Sequence, residues 1–291
     1  MAVDQASYQR LLQYQIPEVE QTLTQRDTML YALGIGLGAD PMDERQLRFV
    51  YEKSLQALPT MAVVLAAPHA WIRSSGSGFA LKSVHGEQTL TLHKPLPAEG
   101  VLHGVSKLMS VVDKGVEHGR NRGAVITTER KVYDRKSGDL LCTLVSASFC
   151  RGDGGFGGPS GPVHEPHVLP QTAPQLACDL PTLPQAALIY RLSGDYNPLH
   201  SDPDHAQKVG FPRPILHGLC TLGVAGHALL KTVCDYEPAR LKSMAVRFSA
   251  PVYPGETLRT EMWQDGNIVS FRCVVAERNA VVLNNGRAEI A

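Results

Sequence analysis

Hydrophobic and polar positions divide the chain into three regimes. Residues 90–94, 101–112, 124–133 and 140–149 alternate or are β-rich, and Gly, Asp and Lys separate them, so each is predicted as a strand. Ahead of them, Met29, Leu30 and Leu33 recur at helical spacing behind Asp27, a capping residue, until glycines at 34, 36 and 38 stop the helix. Residues 43–55 offer a second helical run, and MAVVLAAP after Pro59 is a short apolar core segment. The first 25 residues are polar with scattered apolar positions, which predicts a helix and a surface lead-in. Residues 151–180 are dense in Gly and Pro with no sustained apolar period, and they read as a linker.

The third regime begins near Thr182. Thr182-Leu-Pro-Gln185 has the form of a capping box for a segment ending at Gly194, and Asp202-Pro203 opens a short helix that Gly210 closes. LCTLGVAGHALLKTV is apolar on nearly every face, which predicts a buried helix ending near Cys234. Strands follow at 241–248, 256–263, 268–276 and 281–291, with Asp265-Gly266 as a hairpin turn. Both halves therefore run from helix into a series of strands, and the pattern alone predicts an α+β chain. The domains are expected at 1–150 and 181–291, joined by 151–180.

Composition narrows the class. With 291 residues, 43% apolar and 19% charged, the chain can bury a large core. Lys+Arg and Asp+Glu both total 28, so no broad attraction to nucleic acid or anionic membrane is expected; a local basic patch for an acidic ligand is compatible with that balance. The six cysteines (142, 150, 178, 220, 234 and 273) form no CxxC pair and several lie in apolar runs, which predicts reduced, buried thiols. No signal-peptide pattern or membrane-spanning stretch is found, and the C-terminal residues carry no Ser-Lys-Leu type of address, so a bacterial cytoplasm is expected.

The chemistry concentrates in residues 190–223, YRLSGDYNPLHSDPDHAQKVGFPRPILHGLCTLG. Asp195, Asn197 and His200 share a loop, GDYNPLH, that Gly194 and Pro198 keep from being helical throughout, so their side chains are free to converge. Gly218 opens the buried helix, where unpaired N–H groups and the positive end of the helix dipole would stabilise a developing oxyanion. An acid/base loop beside such a site suits proton chemistry next to a thioester carbonyl. The plain alternatives are loop polar groups for Asp195 and His200, and a packing glycine at 218.

GDYNPLHSDP followed by AQKVGFPRPILHGLCTLG resembles the signature of the (R)-specific 2-enoyl-CoA hydratases, hydratase 2, within the MaoC-like dehydratases. RDTMLYALGIGLG, RFVYEKSLQALPTMAVV, VHGEQTLTLHKPLP, VVDKG, GDGGFGG and RFSAPVYPGETLRTEMW resemble family segments in the family's order. The resemblance implies a double hotdog fold and reversible hydration of trans-2-enoyl-CoA to (3R)-3-hydroxyacyl-CoA in fatty acid metabolism such as β-oxidation. It implies catalytic roles for Asp195, His200, Asn197 and the Gly218 N–H. Substrate contacts are implied at His85, Gly86, Lys114, Tyr196, Pro198, Leu199 and Phe248. It further implies an acyl-CoA thioester as the small-molecule partner, no cofactor, and a homodimer. Tyr196 stands where some relatives carry Trp.

Three other readings compete. A hotdog thioesterase would share fold and ligand but would not need the D-x-N-P-L-H loop, and a non-catalytic acyl-CoA binding module would dispense with the acid/base pair. Gly152, Gly154 and Gly157 match G-x-G-x-x-G, but Pro159 and Pro162 stand where a dinucleotide fold needs its helix. No metal is expected: an Asp195-led calcium loop would need Gly and Glu where His200 and Ala206 stand, and His164 to His167 (HEPH) is expected to be solvated.

Overall fold

The computed structural model describes residues 3–80, 83–162 and 164–291. Its dominant feature is one antiparallel ten-stranded sheet. The N-terminal half supplies β1 (Val19–Leu23), β2 (Ser83–Leu92), β3 (Gly100–Asp113), β6 (Ala124–Asp134) and β7 (Leu140–Cys150), with a small β4–β5 ribbon (Val116–Glu117, Arg120–Asn121) beyond β3. The C-terminal half supplies β8 (Leu176–Pro181), β9 (Leu241–Phe248), β10 (Thr257–Asp265), β11 (Ile268–Val275) and β12 (Ala280–Ile290). The spatial order is β1-β3-β6-β7-β2-β9-β12-β11-β10-β8, two similar five-stranded sets meeting at the β2–β9 seam. Five residue pairs from Glu87↔Arg247 to Thr91↔Ser243 make that seam.

The helices are α1 (Gln5–Gln13), α2 (Gln25–Gly34), α3 (Glu44–Leu47), α4 (Trp71–Ser74), α5 (Ala186–Tyr190), α6 (Pro203–Lys208) and α7 (Gly218–Val233). The apolar run after Gly218 is α7, whose Leu222, Leu229 and Leu230 are fully buried; each contributes about 1.5–3 kcal/mol by leaving water. Two of its glycines let neighbours approach. A methyl at Gly223 would fall 2.7 Å from Ile35 Cγ2, and one at Gly226 only 2.3 Å from Thr60 Cγ2.

No comparable long helix fills the N-terminal half among the described residues. Residues 43–55, expected to be helical throughout, form only the single turn α3, because Arg48 ends it and Ser54 takes a positive φ of 58°. The apolar segment behind them is a 3-10 turn, Pro59–Val64, buried from Pro59 to Val63. This segment is clamped from both sides. Thr60 sits against Gly226 of α7, and the Ala66 carbonyl lies 2.3 Å from where Gly104 of β3 would place a Cβ. Residues 59–74 thus form a thin canopy over the inner face of the N-terminal strands, and one continuous core joins both halves.

Other local expectations shift. Thr24, rather than Asp27, is the N-cap of α2; Asp27 completes the capping box from its third position. Thr182 caps no helix, since its hydroxyl donates to Glu256 O and accepts from Gly255 N. The stretch 151–180 is not all linker. Phe156 packs in a satellite core with Tyr8 and Phe79, and residues from Leu176 onward form edge strand β8. The Gly-rich run binds an internal carboxylate, with Gly155 and Gly157 N–H groups reaching Asp113 at 2.6 and 2.9 Å. His167 is held by Ser270 at 2.8 Å instead of being solvated. All six cysteines are free and buried. Among the described residues no helix is long and apolar enough to cross a membrane.

The clamp on the canopy yields a prediction. Gly226→Ala should destabilise the protein by about 1–3 kcal/mol through overpacking against Thr60, read as a lower denaturation midpoint with an unchanged slope. An unaltered midpoint would mean that the canopy is free to withdraw from α7.

Candidate active site at the meeting of the two halves

The GDYNPLH loop begins where α5 and a 3-10 turn, Arg191–Ser193, end at Gly194, whose φ of 121° favours glycine. His69 of the canopy packs over it, 3.1 Å from where a Cβ would stand. The loop then folds on its own side chains. Asp195 Oδ1 accepts from Asn197 N at 3.1 Å, and Asn197 Oδ1 accepts from Leu199 N at 3.1 Å, capping the 3-10 turn Pro198–His200. Asn197 is exposed, so its contact is with the backbone that presents His200. Asp202 caps α6 through Asp204 and His205 N–H groups and fixes the far side.

His200 is buried, and its Nδ1 lies 2.8 Å from the Ile215 carbonyl. A carbonyl can only accept, so Nδ1 carries the proton and Nε2 of the neutral ring keeps a free lone pair. Burial lowers the His200 pKa despite the opposing influence of the Ile215 carbonyl and Asp195. The segment that supplies this carbonyl is tied down in turn by Ile215 N to Leu199 O and Leu216 N to Val252 O.

His217, to which the sequence reading assigned no role, is the third member. Its ring stacks on that of His200 with centroids 3.7 Å apart and planes inclined by 25°. Its Nε2 donates to the Asp195 main-chain oxygen at 3.1 Å, and its Nδ1 is buried without a partner. Burial, with the neighbouring His200, pushes its pKa down to about 4. A histidine at the N-cap of an apolar helix, just before Gly218, was the available signal.

Ligand atoms of Asp195, His200 and His217 lie within 4.8 Å of one another, a donor set that suits a divalent cation by residue type. Orientation argues otherwise. Imidazole lone pairs lie in the ring plane, and the planes of two rings stacked 3.7 Å apart and 25° from parallel remain separate close to the rings. A cation about 2.0–2.1 Å from each nitrogen needs them to converge.

Gly218 is the first residue of α7, and the first backbone bond from within the helix to its cap runs from Thr221 N to His217 O at 3.1 Å. The N–H groups before it have no intrahelical acceptor by helix geometry. Phe248, at the end of β9, lies against this tip, 3.1 Å from a Cβ built on Gly218. Its ring also meets His85 at 4.9 Å. His85 reaches the inside because β2 bulges. His85 pairs with Ser148 and Glu87 with Ala147, leaving Gly86 as the extra residue, where a Cβ would crowd the Ala147 carbonyl at 3.1 Å. The His85 Nε2–H donates to Glu87 O at 3.1 Å, and burial pushes its pKa to about 4.

Two cavities share His85. One, of about 370 Å³, lies between the canopy and the inner face of β2, β3, β6 and β7, and its lining includes Asp195 and Leu219. The other, of about 390 Å³, runs along the opposite face and includes Gly86, Lys114, Arg151, His164, Arg247 and Phe248. Lys114 is set there by the bend after Asp113, whose ionisation burial opposes but the Gly155, Gly115 and Gly157 N–H groups favour more strongly, lowering its pKa. Of the residues singled out from sequence, His85 lines both spaces, Asp195 the inner one, and Gly86, Lys114 and Phe248 the other; His200 and Gly218 line neither, and adjoin them through Asp195 and Phe248 respectively. Tyr196 and Pro198 are exposed, and neither they nor Leu199 lines either cavity. Tyr196 instead lies under the Arg191 guanidinium, 4.7 Å from its ring centroid.

Residues 21–152 match the model of the MFE-2 hydratase 2 N-terminal domain, and residues 167–285 match that of the MaoC like domain. The chain is 41% identical to the peroxisomal enoyl-CoA hydratase 2 of Arabidopsis thaliana over 94% of its own length and 92% of that protein's. The crystal structure of a MaoC-like dehydratase from Phytophthora capsici superposes with a TM-score of 0.83 at 35% identity, covering 98% of both chains. A Mycobacterium tuberculosis protein described as a double hotdog superposes with a TM-score of 0.57 at 15% identity, a likeness of fold alone. This chain therefore belongs to the enoyl-CoA hydratase 2 family of MaoC-like proteins, with the double hotdog fold.

Proposed function

We propose that this protein hydrates trans-2-enoyl-CoA reversibly to (3R)-3-hydroxyacyl-CoA, using Asp195 and His200 to hold and activate one water. The observation that carries the reading is the paired geometry of a half-buried carboxylate and a neutral imidazole whose free nitrogen is fixed by the Ile215 carbonyl. Water held by the two adds its oxygen to C3 of the conjugated thioester, and its second proton passes to C2 on the same face. The enzyme returns unchanged, and no redox partner is required. Electron density moving toward the thioester oxygen is met by the Gly218 N–H at the positive end of α7, a donor of the kind worth about 10²–10³ in rate. His217 acts as a positioning residue, fixing the Asp195 main chain by hydrogen bond and the His200 ring by stacking.

The substrate divides between the two spaces. Lys114 and Arg151 offer cationic groups to the phosphates of CoA in one cavity, and the acyl chain enters the other beneath the canopy. The chemistry needs no metal, flavin or nicotinamide.

Three outcomes are expected. Asp195→Asn and His200→Ala should each lower kcat for crotonyl-CoA hydration by about 10²–10⁴ with the fold retained, followed as loss of enoyl absorbance with chiral analysis of the product. Wild-type rate in either folded variant refutes the assignment, and stoichiometric release of free CoA would identify a thioesterase instead. In the pH profile of kcat/KM, the base must be neutral and burial lowers the His200 pKa, so activity should persist below pH 6.5, the unshifted histidine value, and fall only as pH drops through the lowered one. An acid limb above 6.5 would remove His200 as the base. Extended dialysis against a chelator should leave the rate unchanged; a loss restored by a divalent cation would instead make Asp195, His200 and His217 a metal site.

A further inference from the structure

The inner cavity is unusually polar for a space that holds a hydrocarbon chain. Its canopy is apolar, with Val63, Val64 and Ala67, but its floor is not. Ser106, Thr128, Arg130, Ser146, Ser148 and Gln88 line it from four adjacent strands. The sheet register places them on one face: Ser106 opposite Arg130, Thr128 opposite Ser146, and Ser146 opposite Gln88.

Arg130 is the decisive member. Its Nη2 donates to the Val63 carbonyl at 2.8 Å, while its Nε is buried and has no partner. Its neighbour Glu129 points to the other face, where it pairs with Lys107 and Lys131. Among the described residues no carboxylate forms an ion pair with Arg130. Burial lowers its pKa to about 10, which leaves it charged at neutral pH. A half-buried guanidinium with no carboxylate partner and a buried, unbonded Nε carries a desolvation cost, and its planar donors match a carboxylate. Position supports a role at the far end of the chain. Ser148, opposite His85, and Leu144, opposite Arg130, are four positions apart on β7, or ~13 Å of strand. The reacting carbons would lie near His85 and Asp195, and the guanidinium deeper in the same space.

We propose that the acyl chains preferred by this protein end in a carboxylate, so that its substrates are medium-length ω-carboxy-2-enoyl thioesters whose far terminus is bound by Arg130 with the hydroxyls of Ser106, Thr128 and Ser146. The proposal rests on the hydratase reading and specifies its substrate class. The product is a 3-hydroxy thioester of a dicarboxylic acid. The reaction that supplies the substrate is a 2,3-dehydrogenation of an ω-carboxyacyl thioester.

The test compares two length ladders, unsubstituted and ω-carboxylated 2-enoyl-CoA, in the wild type and in Arg130→Met and Arg130→Lys. Calorimetric binding of the corresponding saturated acyl-CoA pairs is measured alongside. The wild type should favour the carboxylated series in kcat/KM by about 10- to 100-fold, the range expected for a charged buried hydrogen-bonded contact. Arg130→Met should abolish or reverse that preference while still hydrating unsubstituted chains, and Arg130→Lys should retain part of it. Equal or opposite preference in the wild type overturns the proposal, as does a preference that survives Arg130→Met. If neither ladder is hydrated, the hydratase reading fails, and the wild-type binding preference still decides whether Arg130 recognises the carboxylate. A misfolded Arg130→Met leaves that decision to the wild type in the same way.

Discussion

One strand register ties the parts of this site together. The loop bearing Asp195 and His200 and the tip of α7 come from the C-terminal half, whereas His85 and the polar floor of the inner cavity come from the N-terminal half. The pairing of β2 with β9 is what joins the two strand sets into one sheet. A shift by one residue would turn every side chain of β9 to the opposite face and take Phe248 away from both His85 and Gly218. The bulge at Gly86 adds a second constraint, since without it His85 and Gln88 would not both face inward on one strand. The site therefore depends on antiparallel pairing as much as on the loop that bears the acid and base.

The asymmetry between the halves has a physical origin. In the C-terminal half a sixteen-residue helix fills the concave face of its strands, and its tip supplies N–H groups. In the N-terminal half the described residues place there a 3-10 turn and short helical pieces, so the inner face of the strands is incompletely covered and a cavity remains. One half is packed around its helix, and the other is hollow. The clamp of the canopy between Gly226 and Gly104 keeps that hollow from collapsing onto the strands.

Much of this was legible in the residues. Strands 101–112, 124–133 and 140–149 and the C-terminal strands declared themselves through alternation, and α7 through its all-round apolarity, because period and burial leave direct traces in sequence. The loop carrying Asp195 and His200 was legible through its turn residues and the family resemblance. Residues 43–55 misled because their helical spacing was overridden by a turn with positive φ, and β8 was hidden in a Gly/Pro-rich stretch because an edge strand needs few apolar residues. His217 could not be assigned a role by spacing alone, since its meaning lies in a ring stacked against a residue 17 positions earlier. Arg130 was invisible for a related reason. In TTERKVYD it looks like one more surface charge, and only the register shows that it faces inward while Glu129 and Lys131 face out.

The burial of all six cysteines bears on chemical self-protection. A conjugated thioester is an electrophile that thiolates attack at C3, the same carbon to which water must add. Cys142, on a strand that lines the inner cavity, has its thiol pushed up to about 12 by burial, and burial raises that of Cys220, within the first turn of α7, still further. At neutral pH both remain protonated and poorly nucleophilic. The protein can thus receive a reactive alkene without presenting a thiolate to it, leaving water as the nucleophile admitted to the bond.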